Sequence, residues 1–284
     1  MELLEVKGLC KNYKDFQLKD VSFVLPKGYI MGYVGQNGAG KTTTLNLITH
    51  LCKAHAGTIA IDGITFEKNS NHYKEMIGYV GDESYFPPEL KLRGIRNILK
   101  DFYPTFQIEK FNEMARKWNL PSNKKIKDYS RGMKVKLMFA AALCRETKLL
   151  ILDEATNGLD PVVRADILQL LQEYIEDGER SILFSTHMLE DLQQIADFII
   201  FIDNGEILLN EAKDELLESY LLIKGDKEEI PGELQDKLLG ITHSEFGFTA
   251  LLSSDYAHLI PKSFVINQPT IDQIMVHYIR SRRK

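Results

Sequence analysis

The chain has 284 residues, 44% of them hydrophobic, which is enough length and apolar content to bury a substantial core. The net charge of -5 gives no overall attraction to nucleic acid, and the three cysteines, Cys10, Cys52 and Cys144, fit neither a zinc site nor a CxxC pair. We therefore expect a globular protein with reduced thiols, for which nucleic acid is not a favoured partner.

The first elements along the chain are strands. Alternating apolar and polar residues predict strands at 3–6 and 21–25. A turn at 26–28 then leads into an apolar run at 29–34 that is typical of a buried strand. Tyr13 lies on the polar loop between the first two strands, where its ring could stack on an adenine face or simply cap the sheet. The residues alone leave both roles open.

The segment GQNGAGKTT, residues 35–43, matches the phosphate-binding pattern G-x-x-x-x-G-K-[ST]. It follows a buried strand and precedes apolar residues at helical spacing, an order that disfavours a chance glycine-rich turn. We expect Lys41 to reach the β- and γ-phosphates, Thr42 to bind Mg²⁺ and Thr43 to bind the α-phosphate. The predicted phosphate-binding residues are Gly35, Gln36, Asn37, Gly38, Ala39, Gly40, Lys41, Thr42 and Thr43.

The nucleotide-binding part is predicted to continue and then to be interrupted. Strands are predicted at 57–63 and 77–81. Two prolines then open a mostly helical stretch at 86–120, whose apolar residues recur at i, i+3 and i+4 and indicate ordinary core packing. A second helical pattern follows YSRGMK, residues 129–134.

The strand LLILDE ends in two carboxylates, Asp153 and Glu154. Ligands of open parallel α/β sheets lie at the carboxyl ends of strands, so Asp153 is suited to hold Mg²⁺ through its water shell and Glu154 to polarise an attacking water. Alone, the pair would favour a strand that ends in a solvated acidic turn, but together with the phosphate-binding segment it favours the chemical role. His187 ends the next strand, SILFSTH, where contact with a phosphate is favoured over a structural role.

The C-terminal part of the sequence differs from what precedes it. A hairpin is predicted about Asn204 and Gly205, followed by a helical run at 212–222. Two further strands and a closing helix at 270–279 predict a small α+β appendage. The helix ends in RSRRK, which could touch anionic lipid, although we favour a solvated end whose charges suit the helix dipole.

The order of these motifs makes about the first 215 residues resemble the nucleotide-binding subunit of an ATP-binding cassette (ABC) transporter. The resemblance depends on the phosphate-binding loop, a serine–glycine signature near Ser130, the strand ending in Glu154, the turn with Asp160, and His187. It implies an α/β fold, a P-loop ABC ATPase core with a mixed, mainly parallel sheet and antiparallel N-terminal strands. The implied domains are the ATPase at 1–215, with a helical subdomain at about 84–145, and an α+β accessory domain at 216–284.

The resemblance also implies roles for individual residues. Tyr13 is expected to stack on adenine, and Ser130 and Gly132 to contact the γ-phosphate of ATP held by a facing subunit. Asp160 is expected at the seam of this dimer, and His187 against the γ-phosphate. ATP and Mg²⁺ are the implied cofactors. Ser130 can cap a helix beginning near Met133, whose positive end would then face the anion across the interface.

The sequence departs from the family pattern in two places. The usual signature LSGGQ is replaced by YSRGM, which keeps Ser130 and Gly132 but has Arg131 and Met133 at the other positions. In IGYVGDE the chain has Asp82 where the family usually has a glutamine that touches Mg²⁺ and the attacking water. Because a carboxylate binds a hard cation better than an amide, we predict that Asp82 is a Mg²⁺ ligand, with contact to a membrane partner as the alternative.

The signature YSRGMK and the appendage look most like ATPases of type-2 exporters, whose relatives move bacteriocins, peptide antibiotics, amphipathic toxins or lipids. We expect a dimer with a second cassette, identical or paralogous, and a separate integral membrane permease, because the apolar runs are far shorter than the ~20 residues of a membrane span. With no signal sequence at the N-terminus, the expected location is the cytoplasmic face of the membrane.

Two other classes of protein use a similar loop. A soluble ABC-type ATPase that acts on ribosomes or nucleic acid usually has a second cassette, a long coiled coil or a basic surface, and the sequence predicts none of them. A phosphotransferase or switch GTPase would leave the signature and His187 without a function. Both classes are therefore less favoured than the exporter ATPase.

Overall fold

The computed structural model describes residues 1–244 and 247–282. They form three regions, of which the second is inserted into the first. The first begins with β1 (Glu2–Asn12), β2 (Gln17–Pro26), β3 (Ile30–Val34), α1 (Lys41–Ile48), β4 (Ala56–Ile61), β5 (Ile64–Thr65), α2 (Ser70–Glu75) and β6 (Ile77–Val80). A helical region follows, with α3 (Leu92–Phe102), α4 (Ile108–Lys117) and α5 (Arg131–Leu143). The first region resumes with β7 (Leu149–Asp153), α6 (Pro161–Ile175), β8 (Ser181–Ser185), α7 (Leu189–Ile195), β9 (Phe198–Asp203) and β10 (Glu206–Ala212). The C-terminal region contains α8 (Lys213–Glu218), β11 (Tyr220–Gly225), α9 (Gly232–Gln235), β12 (Leu239–Ser244), β13 (Gly247–Ser253), β14 (Val265–Asn267) and α10 (Ile271–Arg282).

The central sheet has the strand order β10-β9-β3-β8-β7-β6. Neighbouring strands from β9 to β6 pair in parallel, and β10 pairs antiparallel with β9. Every residue of β3, β7 and β8 is buried, because both faces of the sheet are covered, and this explains their continuous apolar sequences. The carboxyl ends of β3, β8, β7 and β6 therefore lie side by side at one edge of the sheet.

A second, antiparallel sheet has the order β2-β1-β4-β5 and covers one face of the central sheet. The core between the two sheets includes Leu4, Phe23, Tyr33, Leu45 and Ile200, all buried. The predicted α/β fold, a mixed sheet with antiparallel N-terminal strands, is confirmed. The predicted hairpin at Asn204 and Gly205 is also present, with positive φ at both residues, as a tight two-residue turn requires.

The helical region packs on the core of the central sheet through buried residues such as Ile95, Phe111 and Phe139. The predicted helical stretch is divided into α3 and α4, since Pro104 cannot continue a helix. The two prolines expected to open it lie in an irregular segment, and α3 begins only at Leu92. No helix in the described ranges is long and apolar enough to cross a membrane.

The C-terminal region has the predicted α+β composition and forms an antiparallel sheet, β12-β13-β11-β14. The helical run predicted at 212–222 is wrong in its second half, because α8 ends at Glu218 and Tyr220 begins a central strand of this sheet. Although the sheet has a small core of its own, Leu251, Ile271 and Ile274 belong to the core that also contains residues of the central sheet. The domain boundary after residue 215 therefore stays a prediction. Of the basic end RSRRK, residues 283 and 284 lie outside the described ranges.

The continuity of the core can be tested at Ile274, which is fully buried on α10. Ile274→Ala should lower the free energy of unfolding by about 2–4 kcal/mol, the usual loss for a truncated core residue that leaves a cavity. The measurement is urea unfolding followed by fluorescence. Val265→Ala is the matched control, because Val265 is exposed and its loss should change stability by less than about 0.5 kcal/mol. Equal effects of the two substitutions would contradict a shared core.

Candidate functional site

The loop residues that follow four neighbouring strands form the site. The loop after β3 begins at Gly35, His187 lies just beyond β8, Glu154 directly follows β7, and Asp82 follows β6 after one residue. Because these strands are neighbours in the order β3-β8-β7-β6, the phosphate-binding segment and the predicted catalytic side chains come together at one sheet edge.

The phosphate-binding loop has the backbone conformation that its glycines allow. Gly38 and Gly40 have φ of 81° and 115°, and a Cβ atom at Gly35 would lie 2.3 Å from the carbonyl oxygen of Ile202. A Cβ at Gly38 would meet no atom within 4 Å, so this residue borders open space. The loop leads directly into α1, whose first residue is Lys41, and thus directs a helix N-terminus at the space above it.

The Lys41 ammonium is the cation of this loop and is only 7% exposed. It donates hydrogen bonds to the carbonyl oxygens of Gly35 at 2.6 Å and Gln36 at 3.3 Å, and it lies 4.0 Å from Oε1 of Glu154. Burial lowers its pKa, and the carboxylates of Glu154 and Asp153 oppose that shift. A cation that has lost much of its water is well placed to attract an anion.

A cleft of about 570 Å³ lies above the loop, a size suited to a small-molecule ligand. The loop from Gln36 to Thr43 forms one wall of this nucleotide cleft, and Tyr13, Asp15, Phe16 and Glu154 complete it. The side chain of Tyr13 is exposed, which leaves its ring accessible to a flat ligand. The predicted roles of Tyr13, Thr42 and Thr43 thus have a common location, and they stay predictions.

Glu154 contacts both other members of the predicted catalytic group, which consists of Lys41, Glu154 and His187. Its Oε2 lies 2.6 Å from Nδ1 of His187 and accepts a hydrogen bond from the His187 backbone N–H at 3.2 Å. Its backbone has φ of 55°, a conformation that glutamate seldom adopts and that recurs at functional sites. Lys41, Glu154 and His187, the three predicted catalytic residues, are therefore brought together by the fold.

Asp153 is buried beside this group, and burial raises the pKa of its carboxyl more than the nearby Ser185, Thr42 and Lys41 lower it. Its Oδ2 accepts a hydrogen bond from the Tyr79 hydroxyl at 3.5 Å, whereas Oδ1 has no hydrogen-bond partner among the described residues. A buried oxygen without a donor fits a cation or its bound water. No group of three metal-ligating side chains occurs in the described ranges.

The signature residues lie at the start of α5, next to the start of α6. The hydroxyl of Ser130 accepts a hydrogen bond from the backbone N–H of Met133 at 3.3 Å, so Ser130 caps α5 as predicted. The helix begins at Arg131 rather than near Met133, because the capped N–H belongs to the third helical residue. Asp160 caps α6 in the same way, through the N–H of Val163 at 3.0 Å, and a Cβ at Gly132 would lie 3.8 Å from the Val163 side chain.

Ser130, Gly132 and Asp160 are not brought to the nucleotide cleft of their own chain, since none of them lines it. Asp82 is also absent from that lining; its carboxylate pairs with the guanidinium of Arg131, so its role as a metal ligand stays a prediction. Asp82 nevertheless lies beside the start of α5, where Ser130 and Gly132 stand, and Asp160 precedes the neighbouring start of α6.

The residue patterns did not reveal two neighbours of the catalytic group. Tyr79 contacts Asp153 from the adjacent strand, and Met275 of α10 lines a second cleft, of about 620 Å³, with His187, Glu154 and Asn157. Met275 follows the helical spacing of α10, which signals core packing and does not reveal proximity to a site more than 80 positions earlier. Met275 lies near the site because α10 packs against α7 in the folded chain.

Comparison with known proteins agrees with this arrangement. The profile of the ABC transporter family matches residues 18–157. The ABC transporter ATP-binding protein YtrB of Bacillus subtilis (strain 168) is 34% identical over 223 residues, covering 78% of this chain and 76% of YtrB. The bacitracin transport ATP-binding protein BcrA of Enterococcus faecalis is 31% identical over 212 residues, covering 72% of this chain and 68% of BcrA. A solved ATP-binding subunit of an ABC transporter is 29% identical, with a TM-score of 0.70, over 75% of this chain and 91% of that one.

The fold and the cleft thus define a P-loop ATPase. Since relatives more than 30% identical are covered over more than two thirds of their length, the chain belongs to the ATP-binding subunits of ABC transporters. The family resemblance inferred from the motifs is confirmed, and with it the assignment of the chain as an ATP-binding ABC ATPase.

The raised pKa of Asp153 predicts a measurable effect on stability. Above that raised pKa the buried carboxylate is charged and destabilises the folded chain, and this destabilisation disappears as the pH falls through the pKa. At neutral pH Asp153→Asn should therefore raise the melting temperature of the nucleotide-free chain, by about 2–4 °C for each kcal/mol of relieved destabilisation. Differential scanning calorimetry at several pH values measures it. The difference from the parent should shrink toward acid pH, and a lower melting temperature at pH 7 would contradict the prediction.

Proposed function

We propose that this ATPase dimerises around ATP and uses its hydrolysis to power a separate integral membrane subunit that exports peptides, antibiotics or lipids. The observation that carries the proposal is the contact of Glu154 with both His187 and Lys41 beside the nucleotide cleft, while the signature serine lies outside that cleft. One chain thus offers a binding and hydrolysis site and, elsewhere, a surface that can complete the site of another chain.

Nucleotide binding is the first step. The N–H groups of the loop and Lys41 bind the phosphates, Thr43 the α-phosphate, and Tyr13 the adenine ring. Thr42 and Asp153 are the residues we propose to hold Mg²⁺, because Asp153 has a buried oxygen without a donor. When bound, Mg²⁺ neutralises negative charge on the phosphates.

Hydrolysis needs a base for the attacking water, and Glu154 is the residue we propose. Its carboxylate is an acceptor in reach of the cleft, and it is partly buried, so that water does not fully screen it. His187 bonds this carboxylate through Nδ1 and so orients it, while its largely exposed ring can also contact a phosphate. Lys41 stabilises negative charge that develops on the phosphates.

The facing subunit completes the site. Ser130 and Gly132 stand at the N-terminus of α5, where free N–H groups and the helix dipole favour an anion, yet they do not line their own cleft. We propose that they bind the γ-phosphate of ATP held by a second cassette, with Asp160 at the seam beside them. A second copy of this chain or a paralogue would satisfy the same geometry.

Export as the coupled process is supported by the relatives and by an apolar surface. BcrA, whose name assigns it to bacitracin transport, is similar over most of this chain, and the signature YSRGMK also favours an exporter. On α3, Ile98 and Phe102 stand one turn apart on an exposed face, and Phe102 is 76% exposed. Exposed large apolar side chains in such a patch mark protein interfaces. We propose that the membrane subunit binds there, at the cytoplasmic face of the membrane.

The hydrolysis step is tested by Glu154→Gln. The amide fills the same space but cannot accept a proton from water, so we expect ATP hydrolysis to fall by about 10²–10⁴-fold while ATP still binds. Gel filtration with ATP and Mg²⁺ should then show a stable dimer. Lys41→Ala is the control, because it removes the phosphate contact and should abolish both binding and dimer formation. A Glu154→Gln chain that binds ATP but stays monomeric would contradict a dimer of two copies of this chain and leave only a paralogue as the facing subunit.

The proposed membrane partner is tested by Phe102→Asp in the tagged full chain, purified from native membranes. Loss of an interface anchor costs ~2 kcal/mol or more, so the amount of co-purified membrane protein should fall at least tenfold. ATPase activity of the isolated variant should stay unchanged, since Phe102 does not line the cleft. Val265→Asp, at another exposed apolar residue, on β14, is the control and should keep the partner. Recovery of ribosomal proteins instead of a membrane subunit would overturn the export proposal.

A further inference from the structure

The two positions at which the sequence departs from the family pattern meet in space. Asp82 lies beyond β6 in the ATPase core, and Arg131 is the first residue of α5 in the helical region. The guanidinium of Arg131 donates to Oδ1 of Asp82, and each side chain is 46% exposed. An ion pair therefore connects the two regions directly beside the signature serine.

Arg131 also contacts the turn between β7 and α6. A Cβ atom at Gly158 would lie 3.3 Å from Cζ and Nη1 of Arg131, so the guanidinium lies against the Gly158 backbone. Gly158 has φ of 63°, which fits the absence of a side chain there. The guanidinium thus stands among three loops of the surface that also carries Ser130 and Asp160.

The strength of this pair decides what it can do. Ion pairs between exposed side chains shift an equilibrium by only ~1.4- to 5-fold, so the pair contributes little to folding. A triphosphate carries more negative charge than one carboxylate, and arginine binds phosphate oxygens in a bidentate manner. If an ATP molecule reaches the start of α5, Arg131 gains by exchanging Asp82 for phosphate.

We propose that Arg131 is a catalytic residue that acts in trans: it leaves Asp82 and binds the phosphates of ATP held by the facing cassette, a second copy of this chain. Asp82 is then a positioning residue, the counter-ion that holds Arg131 until the two chains close on ATP. This inference rests on the proposed dimer and adds a cation to the contacts of Ser130 and Gly132.

If Arg131 exchanges Asp82 for phosphate, substitutions of Asp82 and of Arg131 should shift the ATP concentration needed for closure in opposite directions. Asp82→Asn removes the competing carboxylate, so Arg131 is free for phosphate and closure needs less ATP. Arg131→Gln removes the phosphate contact, so closure needs more ATP. If the ion pair only stabilised the fold, both substitutions would shift the ATP requirement in the same direction, because either substitution breaks the pair.

The test is an ATP titration of dimer formation, by light scattering, with all variants made in the full-length Glu154→Gln chain. We expect the ATP concentration for half-maximal dimer to fall ~1.4- to 5-fold in Asp82→Asn. It should rise at least ~10-fold in Arg131→Gln, as for the loss of a charge-assisted hydrogen bond to an anion. Arg131→Lys, which keeps the charge but not the fork of donors, should lie between the parent and Arg131→Gln.

A double variant tests whether Asp82 acts through Arg131, and a control variant tests whether the position of the lost charge matters. Because Asp82 acts only through Arg131, the double variant with Asp82→Asn and Arg131→Gln should behave like Arg131→Gln alone. Asp128→Asn is the control: it removes the same charge two residues before Ser130, and in the described part of the chain Asp128 makes no ion pair with Arg131. It should leave the titration unchanged.

The outcomes separate the inference from the proposed function. If both single variants raise the ATP requirement, or if Asp82→Asn instead raises the Mg²⁺ requirement without lowering that for ATP, the exchange is wrong and the ATPase assignment stands. If the Glu154→Gln chain binds ATP by calorimetry but never dimerises with itself, the trans roles of Ser130 and Arg131 fail together. If it binds no ATP at all, the proposed function fails.

Discussion

Parallel pairing of β3, β8 and β7 is the constraint on which the site depends, because it brings the carboxyl ends of three chain segments to one edge. Glu154 shows the result most directly, with one oxygen 2.6 Å from Nδ1 of His187 and the other 4.0 Å from Nζ of Lys41. Lys41 is only 7% exposed, and a charge so far removed from water is tolerated only when an opposite charge faces it. The apolar strands behind them, buried on both faces, supply the hydrophobic stabilisation that offsets this cost.

The surface around this edge consists of helix starts and short loops. Ser130 and Asp160 each cap a helix, and the two helices begin side by side, so two positive helix ends lie close together. The loop with Gly158 and the ion pair of Asp82 with Arg131 complete this surface. A chain with such a surface apart from its own cleft is suited to bind a nucleotide held by a neighbour.

The C-terminal region is coupled to the same edge through its last helix. α10 packs against α7, which follows His187, and Met275 lines a cleft together with His187 and Glu154. Its buried residues Ile271 and Ile274 belong to the core that also contains residues of the central sheet, so that a displacement of α10 must disturb packing next to the catalytic group. The C-terminal region thus forms part of the structural surroundings of the site.

The sequence by itself determined the local parts of this protein. The glycine-rich loop, the cap at Ser130 and the burial of LLILD each follow from neighbouring residues, since turns, caps and buried strands depend on local backbone chemistry. Strand order, the partner of Asp82 and the position of Met275 were decided only by the tertiary structure. Asp82 and Arg131 are 49 positions apart, and helical or strand periodicity reports which face of an element is buried but not which element covers it.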